Sequence, residues 1–287
     1  MQGLIDHSVA IHDLKHELTK TTKGVYKLYF GLGQTLTLTD TPDVFKVSLA
    51  GVRLGHYLVR SFSSRANKRS FLDMGTGSGV HALLIRKLGN NDITATDISE
   101  RSIEQAKINE HINFRQRRIS FFASDLFTEI PDRRFQTIIF NPPGWRTPSE
   151  SFVQQLETED QPTQLPLRAM FYGDAVIMRF LEDLPNYLEP KGVAIVGLNS
   201  LVGIRDVLER YIRKHNNKPP LLYRLVERHT FPLIHYSDQW ESLSDHLKGE
   251  FANWEKQDKA AYSTDTNGNI YWSYEIIEFT HCPMHQP

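Results

Sequence analysis

The chain predicts an α/β fold with a doubly wound, mostly parallel sheet, and three observations indicate this fold class. From Ser70 onward, short β-branched or aromatic runs alternate with helical patterns, which is typical of consecutive βαβ units. A glycine-rich segment, 73–79, follows the first of these runs and opens a helix, as the first βα turn of a doubly wound sheet does. From Leu221 onward, two runs alternate apolar and polar residues, which predicts a C-terminal antiparallel strand pair.

The elements follow in order along the chain. We expect residues 1–65 to form an N-terminal extension that packs on the main domain, residues 66–287. Within the extension, 35–43 is rich in turn-forming residues and 44–58 has the apolar period of a helix. The predicted strands of the main domain are 71–72, 93–96, 119–122, 136–140 and 192–198, and the predicted helices are 80–88, 99–112 (with Ser99 as the N-cap), 173–188 and 202–215.

Two segments interrupt the alternation of strands and helices. Residues 147–164 are rich in Glu, Gln, Pro and Thr, so we expect a disordered loop or a lid without a packing face. Residues 237–262 have a polar, helical pattern and separate the two late strands, 223–226 and 270–277. We therefore expect an insertion between the strands of the C-terminal pair.

The composition excludes several classes of protein. The 33 basic and 34 acidic residues give a net charge of −1, so no whole-surface field draws the chain to nucleic acid or to an acidic membrane. A single cysteine, Cys282, excludes an internal disulfide, and no zinc-site spacing is present, so we expect no metal. The N-terminus lacks a secretory signal, and the apolar runs are far shorter than the roughly 20 residues of a membrane span. We expect a soluble, cytoplasmic protein.

The glycine-rich loop has the spacing of a ligand-binding turn. Its residues Gly75, Thr76, Gly77 and Gly79 allow a tight turn and let a ligand approach the backbone closely. The order is G-x-G-x-G rather than the G-x-G-x-x-G of dinucleotide-binding turns, and Asp73 stands two positions before the first glycine. A carboxylate at that position would repel a pyrophosphate and attract the cationic amino-acid part of a ligand.

Two further acidic residues end the next two predicted strands. Asp97 can accept hydrogen bonds from both hydroxyls of an adenosine ribose. Asp125, which precedes Leu126, is placed to accept a hydrogen bond from the amino group of the adenine. Because ligands bind at the carboxyl ends of the strands in an open α/β sheet, the glycine loop and the two acids predict one nucleoside-binding site.

This set of residues resembles the class I S-adenosylmethionine-dependent methyltransferases, whose fold is Rossmann-like. The segment 73–79 is similar to their first motif, Asp97 to their ribose-binding acid and Asp125 to their adenine-contacting acid. The resemblance implies S-adenosyl-L-methionine as the cofactor. The cofactor-binding residues that it implies are Asp73, Gly75, Thr76, Gly77, Gly79, Asp97, Asp125, Leu126 and Asn141.

A further motif, Asn141-Pro142-Pro143, follows the hydrophobic strand 136–140. Two prolines cannot continue a strand, so they fix a rigid exit at the ligand-binding edge of the sheet. An amide or aromatic amine is a poor nucleophile because its lone pair is delocalised, so it needs acceptors for both N–H hydrogens during methyl transfer. The Asn141 side-chain oxygen and the Pro142 carbonyl can be these acceptors, and Trp145 can stack on a flat acceptor molecule.

The same motif resembles the amino-methyltransferases that carry Asn/Asp-Pro-Pro followed by Tyr, Phe or Trp. They include release-factor glutamine methyltransferases and exocyclic-amine methyltransferases of adenine or guanine. The present sequence departs from their pattern, because Gly144 holds the aromatic position and Trp145 comes one residue later. The resemblance implies methyl transfer to a planar nitrogen, with Asn141, Pro142, Pro143 and Trp145 as the catalytic residues.

Two other functions use the same sequence features. A nicotinamide-dependent oxidoreductase would use the glycine loop for NAD but would leave the Asn-Pro-Pro motif without a role. A catalytically silent methyltransferase-like binding module would bind the cofactor weakly or not at all. The sequence does not distinguish whether the methyl acceptor is a protein, a nucleic acid or a small metabolite. We expect no membrane partner. The oligomeric state cannot be predicted from the sequence.

Overall fold

The computed structural model describes residues 5–8, 19–22, 24–62, 70–159, 167–233 and 243–283, the first two ranges as backbone alone. The strands are β1 (Ile5–Ser8), β2 (Thr19–Thr22), β3 (Val25–Tyr29), β4 (Thr35–Thr39), β5 (Phe71–Met74), β6 (Ile93–Asp97), β7 (Ser120–Ala123), β8 (Phe135–Phe140), β9 (Leu188–Asn199), β10 (Leu221–Pro232), β11 (Tyr262–Thr264) and β12 (Ile270–His281). The α-helices are α1 (Leu49–Phe62), α2 (Val80–Lys87), α3 (Glu100–Phe114), α4 (Glu150–Glu159), α5 (Gly173–Tyr187), α6 (Ile204–Lys214) and α7 (Ser244–Lys256). None of these described helices combines the length and the apolar character needed to cross a bilayer.

Nine of the described strands form one sheet in the order β1-β10-β12-β9-β8-β5-β6-β7, with β11 paired to β12. Strands β5 to β9 run parallel, whereas β12 runs antiparallel between β9 and β10. The strand order reverses at β5, which pairs with β6 on one side and with β8 on the other. In a doubly wound sheet, ligands bind in the crevice at this switch point. The predicted fold class, with its C-terminal antiparallel pair, is confirmed.

Both faces of the sheet are covered. One core cluster joins α1, α2 and the β3–β4 hairpin to one face, and a second joins α5 and α6 to the other face. Neighbouring residues of one strand enter different clusters, as Ile138 and Ile139 of β8 do, because side chains alternate across a strand. The central strands β5, β6 and β8 are therefore largely buried on both sides, whereas β7 at the sheet edge is not.

Two expectations for the N-terminal extension are wrong in detail. The segment 35–43 is not turn-rich throughout, because its first five residues form β4. Their Thr-Leu-Thr-Leu-Thr alternation is the pattern of a half-buried strand, and both leucines are buried. The helix spans Leu49–Phe62 rather than 44–58. The division of the chain at residue 65 stays a prediction.

The expectation that segment 147–164 lacks a packing face is also wrong. Residues 150–159 form α4, and Phe152 and Leu156, one helical turn apart, are buried on one side of it. The Phe152 ring lies edge-on to Phe171, with 5.6 Å between the ring centroids. Residues 160–166 lie outside the described residues, so the lid hypothesis is not tested there.

The predicted insertion 237–262 contains α7, and residues 237–242 lie outside the described residues. Helix α7 buries Leu247, Phe251 and Trp254 in the cluster that also holds the apolar side of α4. We call this set, which includes Trp145 and Phe171, the third cluster. The two polar segments of the sequence thus contribute apolar side chains to a small core, which they share with residues such as Leu201 and Ile270.

Candidate active site

The turn between β5 and α2 is built from left-handed glycines. Gly75, Gly77 and Gly79 have φ angles of 62°, 54° and 86°, which lie in the left-handed region that residues other than glycine rarely adopt. A Cβ at Gly79 would also lie 2.9 Å from the Cβ of Ala106 in α3, so glycine lets the two helices approach closely. The loop backbone therefore curls at the carboxyl end of β5, as the sequence predicts.

Asp73 is a buried residue that braces this loop. Its Oδ2 accepts hydrogen bonds from the Thr76 hydroxyl at 2.6 Å and from the Ala82 amide at 3.0 Å. Burial raises the pKa of the Asp73 carboxyl, and a hydrogen bond from Thr76 acts in the opposite direction. Both of these hydrogen bonds go to Oδ2, so Oδ1 keeps its lone pairs for a ligand. The predicted role of Asp73 beside a cationic group stays a prediction.

Asp97, at the end of β6, closes over the glycine loop. Its Oδ2 accepts a hydrogen bond from the Gly77 amide at 2.8 Å, and its Oδ1 accepts one from the Ser99 amide at 2.9 Å. Burial raises the pKa of the Asp97 carboxyl. The Ser99 hydroxyl caps α3 as predicted, accepting a hydrogen bond from the Ser102 amide. The structure thus brings two predicted binding elements, the glycine loop and Asp97, together.

Ile98 is a candidate that sequence analysis missed. Its side chain directly follows Asp97 and is 74% exposed, although isoleucine is usually buried. An exposed apolar side chain beside a carboxylate that can bind a ribose would cover one face of the attached base. The available signal was its position, since it interrupts the polar turn between β6 and α3.

Asp125 and Leu126 form a sharp turn after β7. Leu126 has a left-handed φ of 53° and is buried, and its carbonyl accepts a hydrogen bond from the Ser124 hydroxyl at 2.8 Å. Asp125 lies on the exposed rim of the site and forms an ion pair with Arg179 of α5 at 2.8 Å. The predicted contact of Asp125 with an adenine amino group stays a prediction, and Arg179 is its partner here.

Asn141 follows β8 at the switch point. The register of β5 and β8 pairs Met74 with Phe140, so Gly75 and Asn141 are the next residues of two adjacent strands. The Asn141 Oδ1 accepts a hydrogen bond from the Tyr274 hydroxyl of β12 at 2.9 Å. Sequence analysis missed Tyr274, because 133 residues separate it from Asn141 and no local pattern joins them.

The predicted stacking role of Trp145 is wrong for the structure described. Its ring is only 4% exposed and lies edge-on to Phe171 and Phe251, at centroid distances of 5.1 and 5.5 Å. It belongs to the third cluster and contributes to packing. At the position that carries an aromatic residue in the resembling family, a Cβ on Gly144 would lie 2.9 Å from the Asn199 amide nitrogen. An aromatic side chain there would require Asn199 to move.

Tyr172 is an exposed aromatic residue at the same loop. It has a left-handed φ of 66° and is 36% exposed. The following residue, Gly173, packs so closely on the Pro143 carbonyl that an added Cβ would overlap it. Tyr172 is therefore held beside the end of the Asn-Pro-Pro turn in a conformation that is unfavourable for a tyrosine. Pro142 and Pro143 themselves are half-buried.

A buried cation fixes the chain after the motif. Arg146 forms an ion pair with Asp206 at 2.7 Å and donates hydrogen bonds to the carbonyls of Val202 and Lys259. Asp174, 3.6 Å from Arg146, accepts hydrogen bonds from the next residue, Thr147. These contacts tie the exit of the motif to α5, α6 and the chain that follows α7.

Comparisons with known proteins find methyltransferases among the relatives of this chain. A family model described as a methyltransferase small domain matches residues 36–156. A Methanocaldococcus jannaschii protein that bears the name of a protein N5-glutamine methyltransferase is 31% identical over 146 residues, which are 50% of this chain and 68% of that protein. A release factor glutamine methyltransferase of Rhodopirellula baltica is 33% identical over 140 residues, 46% of this chain and 45% of the relative. The chain thus spans about half the length of the second protein.

Other relatives carry different acceptors in their names, a small-subunit ribosomal RNA and adenine 37 of a transfer RNA. A solved structure, the T. thermophilus 16S rRNA N2 G1207 methyltransferase in complex with S-adenosylmethionine and guanosine, is similar with a TM-score of 0.52. The sequences are 15% identical, and the match covers 90% of this chain and 50% of that one. At this identity the similarity shows the fold.

Proposed function

The chain belongs to the class I S-adenosylmethionine-dependent methyltransferases, and on that basis we propose that it methylates a planar nitrogen of its acceptor. The observation that carries this proposal is the position of Asn141-Pro142-Pro143. The turn leaves β8 directly beside the glycine loop that leaves β5, because Met74 and Phe140 are paired. A group held by Asn141 would therefore meet the methyl donor at the switch point of the sheet.

The glycine loop and the residues at the end of β6 together fit an S-adenosylmethionine molecule. Each Asp97 oxygen accepts one backbone N–H and keeps a second lone pair for a ribose hydroxyl. Ile98 would cover the base, and the Asp73 Oδ1 would face the cationic amino-acid part. Bound in this way, the cofactor supplies an electrophilic methyl group.

The part that this chain plays in the transfer is to hold the acceptor nitrogen. The Asn141 Oδ1 and the Pro142 carbonyl would accept its two N–H groups and turn its lone pair toward the methyl carbon. As the new N–C bond forms, positive charge grows on the nitrogen, so both hydrogen bonds strengthen in the transition state. One N–H proton then leaves to water, and no strong base is needed before the transfer.

We favour a protein glutamine amide as the acceptor. A relative that the chain spans over 68% of its length bears the name of a protein N5-glutamine methyltransferase, and the net charge of −1 gives no general attraction to RNA. The second candidate is the exocyclic amine of an RNA base. Tyr172 favours it, because an exposed aromatic ring beside the motif is a suitable surface for a flat base.

A direct assay with S-adenosylmethionine labelled at the methyl group tests both candidates. The probes are purified release factor without glutamine methylation, and unmodified transcripts of 16S rRNA and of a tRNA. We expect label in the release factor and N5-methylglutamine in its hydrolysate. Label confined to a base amine would select the second candidate, and methylation of oxygen or carbon would overturn nitrogen transfer.

Calorimetry separates the two alternative functions. Binding of S-adenosylhomocysteine without binding of NAD is the expected result. Binding of NAD alone would indicate an oxidoreductase. Binding of neither ligand, together with no methyl transfer to any probe, would indicate a silent module.

A further inference from the structure

Tyr274 reaches Asn141 from two strands away. It lies in β12, opposite Asn199 of β9, and β9 separates β12 from β8 in the sheet. The side chain is 2% exposed, and its hydroxyl lies 2.9 Å from the Asn141 Oδ1. The hydroxyl therefore crosses the width of β9 to meet the residue that ends β8.

Gly197 makes this crossing possible. It is the residue of β9 over which the tyrosine lies, since a Cβ there would overlap the Tyr274 hydroxyl and ring. A side chain other than hydrogen at this position would push the ring away from Asn141. The φ angle of Gly197 is not left-handed, so the close approach, and not the backbone conformation, requires the glycine.

The hydrogen bond from the Tyr274 hydroxyl fixes the orientation of the Asn141 carboxamide, with Oδ1 toward the tyrosine. Burial raises the pKa of Tyr274 far above its usual range, so the hydroxyl stays protonated. A buried O–H needs an acceptor, and the Asn141 Oδ1 is the acceptor found within the described residues. If the carboxamide were reversed, its NH2 group would face the hydroxyl and this O–H would lose that acceptor.

We propose that Tyr274 is a positioning residue for methyl transfer, which holds the Asn141 carboxamide so that the second lone pair of Oδ1 meets the acceptor N–H. The proposal rests on the proposed function of Asn141. A carbonyl oxygen has two lone pairs, and the Tyr274 hydroxyl occupies one of those on Oδ1, which leaves the other for the acceptor. The carboxamide is thereby fixed before the acceptor arrives, and this avoids a reorganisation during the reaction.

Tyr274→Phe removes the hydroxyl and keeps the ring. We expect kcat to fall about 10- to 100-fold on the probe, release factor or RNA, that receives the labelled methyl group, with S-adenosylhomocysteine affinity unchanged. The matched control is Tyr211→Phe, which removes the hydroxyl of another buried tyrosine, in α6. An unchanged kcat in Tyr274→Phe, while Asn141→Ala is impaired, would overturn the proposal.

A double-mutant cycle separates positioning from a general structural effect. If Tyr274 acts through Asn141, Tyr274→Phe should cause no further loss of kcat in the Asn141→Ala background. Losses that multiply in the double variant would show that Tyr274 acts independently of Asn141 and would overturn the proposal.

A third measurement does not depend on an acceptor. The side-chain amide resonances of Asn141, assigned by their loss in Asn141→Ala, should shift in Tyr274→Phe and stay in place in Tyr211→Phe. Resonances that do not move in Tyr274→Phe would overturn the contact itself. If the wild-type protein methylates none of the probes, the proposed function and the kinetic part of this proposal fail together, and the resonances alone decide the orientation of Asn141.

Discussion

The Asp97 carboxylate and the Gly77 amide are joined by a hydrogen bond of 2.8 Å, which links the end of β6 to the loop that follows β5. The same carboxylate accepts a hydrogen bond from the Ser99 amide, so Asp97 holds the glycine loop and the start of α3 together. One side chain thus shapes the loop and offers the lone pairs that a ribose would use. A change at Asp97 should affect both roles.

We expect Asp97→Ala to weaken S-adenosylhomocysteine binding about 10- to 150-fold. Loss of a hydrogen bond to a charged acceptor costs roughly 1.5–3 kcal/mol, and the loop also loses its brace. Isothermal calorimetry measures the effect. The control is Asp92→Ala, which removes an exposed carboxylate at the other end of the same strand. Equal affinity in wild type and Asp97→Ala would refute the assignment.

Asn141→Ala should lower kcat about 10²- to 10³-fold while the affinity for S-adenosylmethionine stays close to normal. The reason is that the hydrogen bond to the acceptor strengthens only as charge develops on its nitrogen, by analogy with the loss of one oxyanion-hole donor. Kinetics on the acceptor identified by the labelling assay test this. Full turnover in the variant would mean that the motif only terminates β8.

Trp145→Ala should reduce stability, because its ring is packed in the third cluster. Removal of a buried tryptophan ring costs about 3–5 kcal/mol, which urea unfolding followed by circular dichroism would detect. Phe171→Ala, in the same cluster, should act on the same property and combine non-additively with it. A variant of normal stability with weakened acceptor binding would instead restore the stacking role that the sequence suggests.

Asp73→Asn should raise the free energy of unfolding at neutral pH in the absence of cofactor. Burial raises the folded-state pKa of Asp73, so the ionised group disfavours the folded state above the unfolded pKa of about 3.9. An asparagine keeps one oxygen for the Thr76 and Ala82 hydrogen bonds without the charge.

The advantage of Asp73→Asn should shrink as the pH falls through the raised folded-state pKa of Asp73 and should be lost near the unfolded pKa of about 3.9, because the folded wild-type carboxyl takes up its proton before the unfolded one. Urea titrations at several pH values between about 7 and 4 measure it. The exposed control, Asp92→Asn, should show no comparable gain. A variant less stable than wild type at neutral pH would show that the Asp73 charge supports the fold.

The parts that sequence predicts well are those with a local signature. The glycine loop and the N-cap at Ser99 each need only a few adjacent residues, and the buried strands appear as apolar runs. Helix α4 was not predicted because it has only three apolar residues, Phe152, Val153 and Leu156, in an otherwise polar segment. The packing of Phe152 and Leu156 becomes visible only when α7 lies beside them.

The wrong or missing parts of the candidate site depend on contacts between distant segments. Trp145 is buried by residues of α7, about a hundred positions later, and Tyr274 reaches Asn141 only because β12 lies next to β9. Gly144 was correctly seen as a departure from the family pattern, but its neighbour Asn199 could not be found from the sequence. Local periodicity carries no information about such pairs.

The position of β12 has a consequence for biosynthesis. The strand lies between β9 and β10, both of which precede it in the chain, so those two strands have no neighbour at that seam until residues 270–281 have been translated. A partly translated chain would expose two open strand edges to other chains. It would also lack Tyr274, so the hydrogen bond from the Tyr274 hydroxyl to Asn141 could form only after β12 had joined the sheet.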